Sequence, residues 1–150
     1  MGLIELASYK SVWRGYEYYK QNNVITHIKE SESQIRGMVR GSGQKHYDVF
    51  IDLEHPRKSK CNCPHADGKR VICKHMISLY FAAYPKIAQK YYDDLIAYEE
   101  AEEARQEELE EKLINYVCKL KKEELRNLCL ELLYELPEWQ FERFIRDYIE

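Results

Sequence analysis

The chain has 150 residues, of which 45% are apolar and 33% charged, with a formal net charge of −3. That is enough apolar sequence for one or two compact domains. The longest apolar stretch, Met76 to Tyr84, is interrupted by Ser78 and falls well short of the ~20 residues that span a bilayer. Charge is unevenly placed: residues 1–85 carry 13 basic against 8 acidic side chains, a net of +5, and residues 86–150 carry 10 against 18, a net of −8. Two domains facing different partners are expected, divided near Pro85, because a proline restricts the residue before it and starts or stops a helix.

In chain order, the first residues show no basic segment followed by an apolar one, and Leu6 stands where a myristoylation signal has Ser or Thr. A cytoplasmic location is the expectation. Tyr9 to Gln21 places Tyr9, Trp13 and Tyr16 at helical spacing and runs into Asn22-Asn23, which reads as a short amphipathic helix with an Asn stop. Val24 to Ile28, Gln34 to Arg40 and His46 to Leu53 follow, the last with Tyr47, Val49, Ile51 and Leu53 on alternate positions. Glu30-Ser31-Glu32-Ser33 and Gly41-Ser42-Gly43 punctuate them, so a three-stranded antiparallel meander is predicted.

Cys61-Asn62-Cys63, nine residues, then Cys73-Lys74-His75 make up the most informative feature. Three thiolates and an imidazole are the donor set of a structural Zn²⁺, and the odd number of cysteines, five, argues against a disulfide framework. Residues i and i+2 lie about 200° apart around a helix but on one side of extended chain. Cys61 and Cys63 therefore belong on extended or turn backbone, helped by Pro64. Cys73 is expected just before a helix and His75 in its first turn, where the helix N-terminus favours thiolates. Three thiolates with Zn²⁺ sum to −1, which Lys60, Arg70 and Lys74 moderate. His55 and His65 are rival ligands, but His65, two residues beyond Cys63, would strain a closed site. With all four positions filled by protein, the site is structural rather than catalytic.

The pattern C-x-C-x₉-C-x-H resembles the SWIM zinc finger, supported by Arg14-Gly15-x-x-Tyr18 with Val24, by the Gly-x-Gly turn leading to Tyr47-Asp48-Val49, and by Cys73-Lys74-His75-Met76 opening a helix. The resemblance covers roughly Tyr9 to Pro85. It implies zinc held by Cys61, Cys63, Cys73 and His75, and a role in DNA binding or protein interaction, with helicase-like ATPases among the partners of such modules. The C-terminal half resembles the helical extension of bacterial proteins that carry this finger, which adds no chemistry.

Arg40, Lys45, Arg57, Lys58, Lys60, Lys69, Arg70 and Lys74 cluster on the turns around the ligands, and such groups neutralise phosphates with little sequence preference. Lys58, Lys69, Arg70 and Lys74 are the candidate DNA or RNA contacts. Beyond Pro85 the pattern is helical. Glu99 to Glu111 holds eight Glu in thirteen residues, and apolar periodicity around it predicts three helices, with turns at Lys119 to Lys122 and at Pro137, packed as a small bundle. Cys118 and Cys129 fall on apolar faces and are expected as buried small hydrophobes.

The fold class expected is α+β: a helix, a small antiparallel meander with the C-x-C/C-x-H zinc site and a following helix over residues 1–85, then an acidic helical domain over 86–150. An enzyme is not expected: the sequence has no phosphate-cradling Gly-rich loop, no zinc-deaminase H-x-E with P-C-x-x-C, and no recognisable Ser, His and acid set. Two readings remain, a noncatalytic zinc-stabilised module that contacts nucleic acid through its basic loops, and a protein-interaction scaffold acting through the acidic helices. Neither calls for a small-molecule substrate.

Overall fold

The computed structural model describes residues 2–149. The fold is α+β, as the sequence predicts. It divides into two compact units, Met1–Ile96 and Ala97–Glu150.

The first unit opens with a single turn, α1 (Leu3–Leu6), and then α2 (Tyr9–Lys20). Ser8 starts α2: its backbone is extended, and its Oγ accepts a hydrogen bond from the Ser11 N–H at 3.2 Å. Asn22 stops it by taking up φ of +54°, a left-handed conformation that Asn tolerates better than most residues. The chain then forms β1 (Val24–Lys29), β2 (Gln34–Arg40) and β3 (His46–Asp52). A single turn at Pro56–Lys58 leads to a two-residue strand, β4 (Lys60–Cys61), so the sheet has four antiparallel strands in the order β1-β2-β3-β4 rather than the predicted three.

Alternation decides which sheet face is covered. Ile35 and Val39 on β2 and Val49 and Ile51 on β3 are buried together. They meet α3 (Lys74–Ala83), which packs against α2 and all four strands. A helix with so many partners has little polar face left: His75 to Leu79, Phe81 and Ala83 are all buried. Two glycines permit the close approaches. A Cβ on Gly15 would lie 2.5 Å from the Ile77 Cβ, and one on Gly37 would lie 2.2 Å from the Thr26 carbonyl oxygen.

Pro85 begins α4 (Pro85–Lys119), where its missing N–H costs nothing. The start of that helix belongs to the first unit's core. Ala88 is fully buried there, Tyr91 stacks on Phe81 with ring centroids 5.5 Å apart, and Tyr92 stacks on Tyr16 at 5.4 Å.

The second unit takes the rest of α4, then α5 (Lys122–Tyr134) and α6 (Glu138–Tyr148). All three predicted helices form, with breaks at the predicted places. The expected bundle core does not: no residue from Ala97 to Ile149 is buried. Cys118 and Cys129 are exposed accordingly, which corrects the expectation of core positions. Apolar periodicity marks a face of a helix without saying what covers it.

Candidate metal centre

Each ligand pair is held by a different element. Cys61 ends β4, whose pairing sets Cys61 opposite Val49 and Lys60 opposite Phe50. Asn62 then fixes the C-x-C loop to β3: its Oδ1 accepts from the Asp48 N–H at 2.9 Å, and its own N–H donates to the Asp48 carbonyl at 3.3 Å. After Cys63 the chain turns sharply, and its carbonyl accepts from the N–H groups of Ala66 and Asp67 at 3.0 and 2.8 Å. Cys73 is the extended N-cap of α3 and His75 lies in its first turn, the junction that the C-x-H spacing requires.

These elements bring the donor atoms of Cys61, Cys63, Cys73 and His75 within 4.8 Å of one another, and all four side chains are buried. His75 Nδ1 is 3.8 Å from the Cys61 Sγ and 3.9 Å from the Cys73 Sγ. A tetrahedron with zinc–sulfur and zinc–nitrogen bonds of normal length puts its N and S corners about 3.6 Å apart. The donor set fits Zn²⁺ in both chemistry and spacing. The imidazole lies against Tyr47, centroids 4.7 Å apart, and edge-on to Tyr18 at 5.6 Å. Nδ1, the nitrogen beside the two thiols, is the one that faces the metal position, while Nε2 is buried and has no hydrogen-bond partner among the described residues.

The thiols are not independent. The Cys61 thiol, hydrogen-bonded to Cys73, holds Cys73 down to about 4, with further help from His75 and from the Met76 N–H of the helix N-terminus. Cys61 is pushed up in return by that same hydrogen bond and by burial. Cys63 is raised mainly by burial and by the neighbouring Cys73 charge. Three buried thiolates so close together need a divalent cation to coexist.

Residues 47–84 match the SWIM zinc finger. The matched segment runs from Tyr47 on β3 to Tyr84 at the end of α3 and contains all four donors, so family and donor set together support zinc. No curated protein and no solved structure matches the chain.

The rival histidines lie within the matched segment but outside the four-donor cluster. His65 is exposed, and His55 is exposed with its Nδ1 3.7 Å from Asp52. The four candidate nucleic-acid contacts separate into two places. Lys58, Lys69 and Arg70 line one open groove of about 1070 Å³ together with Arg36, Arg57 and Lys60. Lys74 is elsewhere: its Nζ donates to the Tyr18 hydroxyl at 2.5 Å and sits 3.8 Å above that ring, beside a different cavity. Asn62 and Tyr47, which brace the ligands, have no metal-binding chemistry of their own and are visible only as contacts across the fold.

Proposed function

We propose that this protein is a noncatalytic, zinc-stabilised binding module whose SWIM unit contacts nucleic acid by neutralising phosphates. The observation that carries this reading is the gathering of Arg36, Arg57, Lys58, Lys60, Lys69 and Arg70 on one groove beside the Cys61 ligand. The same groove also holds Asp48, Asp52 and Asp67, which favours moderate, strongly salt-dependent affinity over tight binding. Among the described residues the groove is lined by strands, the Pro56–Lys58 turn and the ligand spacer, with none from α2 or α3, so sequence preference should be weak.

A salt-titrated binding assay with DNA and RNA tests it. Affinity should fall steeply with salt, and replacing Lys58, Lys69 and Arg70 by Ala should weaken unrelated sequences equally while zinc content is unchanged. Undetectable binding at low salt would overturn the reading.

A second reading, a protein-interaction scaffold, is favoured by the helices of the second unit. Leu109, Leu113, Leu132, Trp139 and Tyr148 are each at least 56% exposed, and helices as short as α5 and α6 are marginal in water without a partner surface. Among the described residues no helix is long and apolar enough to cross a membrane.

A further inference from the structure

The cavity that holds Lys74 differs in charge from the groove. It has a volume of about 440 Å³, within the ~300–1,000 Å³ usual for small-ligand pockets, and it lies between the start of α2, the Gly41-Ser42-Gly43 turn and the zinc ligands. Lys10, Arg14 and Lys74 line it, and no Asp or Glu does. Among the described residues none of these three cations has a carboxylate within salt-bridge distance, although six other basic side chains do form such pairs. Lys10 and Arg14 stand four residues apart on α2, so they share a face of that helix, where like charges repel. Both are exposed, so solvent screens part of that repulsion, and an anion between them would relieve more of it.

Lys74 is held in place rather than left to swing. The Tyr18 ring and hydroxyl hold its ammonium group, taking one of its three protons and leaving two to donate. Hydroxyl donors complete the wall: Ser11, whose oxygen accepts from Ser8 at 3.0 Å and whose own proton is therefore available, together with Ser42 and Tyr47. A zinc site with three thiolates carries −1, so three cations keep the cavity at a net +2 with the metal bound.

We infer that this cavity is a phosphate-binding site, formed by Lys10, Arg14 and Lys74, that receives a phosphate group of a nucleotide or nucleic-acid strand. Arg14 supplies a planar fork suited to two phosphate oxygens and Lys10 and Lys74 supply point charges. The inference goes beyond the groove reading, because it names a separate site and stands for phosphate whether or not the groove takes a strand.

The test uses the full-length zinc-loaded protein and four probes: a 5′-phosphorylated oligonucleotide, the same strand with a 5′-hydroxyl, a nucleoside monophosphate and inorganic phosphate. Strand binding is read by fluorescence anisotropy and small-probe binding by the shift in thermal midpoint. Lys10→Ala/Arg14→Ala should lower affinity for the favoured probe about tenfold or more, as expected on losing charged hydrogen bonds, with zinc content unchanged, and Arg14→Glu should do the same. A preference for the 5′-phosphorylated strand would identify a chain-end phosphate as the ligand, and equal binding of the two strands with the same loss in the variants a backbone phosphate. If the strands do not bind but monophosphate or inorganic phosphate raises the midpoint in the wild type and not in the variants, the site stands and the groove reading fails. Variants that bind every probe like the wild type overturn the site. Should the Lys58, Lys69 and Arg70 substitutions alone then weaken binding, the groove reading survives without it.

Discussion

At the scale of single residues, the metal-free cluster is a proton-sharing trio, and that determines how it loads. Cys73, held down to about 4, is already a thiolate near neutral pH, whereas Cys61 and Cys63 are pushed above the ordinary thiol range and keep their protons. Zinc must displace those two protons. Binding between pH 7 and 8 should therefore release about two protons from the thiols, and apparent affinity should drop about a hundredfold per unit fall in pH, since each displaced proton contributes a factor of ten. Calorimetry in buffers of different ionisation enthalpy gives the count, and a value near zero would mean that the thiols are preionised. The ligands themselves are legible in the sequence because their spacing is local. Asn62, Tyr47, Lys10 and Arg14 are not, because what they do depends on Asp48, His75 and Lys74, brought near them only by the fold.

Among the elements, close packing of α2 on α3 is the tightest constraint. Gly15→Ala raises helix propensity by up to ~1 kcal/mol, but its new methyl would meet Ile77 Cβ at 2.5 Å and the Lys74 carbonyl at 3.0 Å. Overpacking of that kind typically costs about 1–3 kcal/mol, so the substitution should destabilise the zinc-loaded protein, seen as a lower denaturant midpoint. A raised midpoint would show that the helices have room to part. The three long strands and α2, α3, α5 and α6 are readable because each spans enough residues to show a period. β4 is two residues long and α1 four, too short to carry any, and yet β4 places the first ligand.

For the whole molecule, the change of charge at Pro85 and the end of the compact core do not coincide. Ala88, in the core, and Tyr91 and Tyr92, stacked on Phe81 and Tyr16, all follow the proline. We propose that the separable domain ends near Ile96. A fragment of residues 1–96 should fold with zinc, and one of residues 1–85 should be less stable by about 2–4 kcal/mol, since it loses the buried Ala88 and the partly buried Ile87 and Tyr91, and a fully buried large side chain contributes roughly 1.5–3 kcal/mol. Thermal unfolding of the two fragments with zinc supplied decides it, and equal stability would place the boundary at Pro85. Charge counts reveal where composition changes, while a core is defined by contacts that composition does not register.

The spacer between the ligand pairs grips Cys63 only through its first turn, the N–H groups of Ala66 and Asp67, and the stretch beyond that turn holds neither pair. Cys63 is oriented by the sheet through Asn62, Cys73 by the helix it caps, and most of the intervening residues, Pro64, His65 and Asp67 to Val71, lie at the surface. At Gly68 the chain passes through φ of +68° with open space around it. Lengthening a loop costs little, about 0.6 kcal/mol for each doubling. Insertions at Gly68 should therefore leave the metal in place while giving the protein a new surface loop, which makes this stretch the part of the finger free to diversify in evolution.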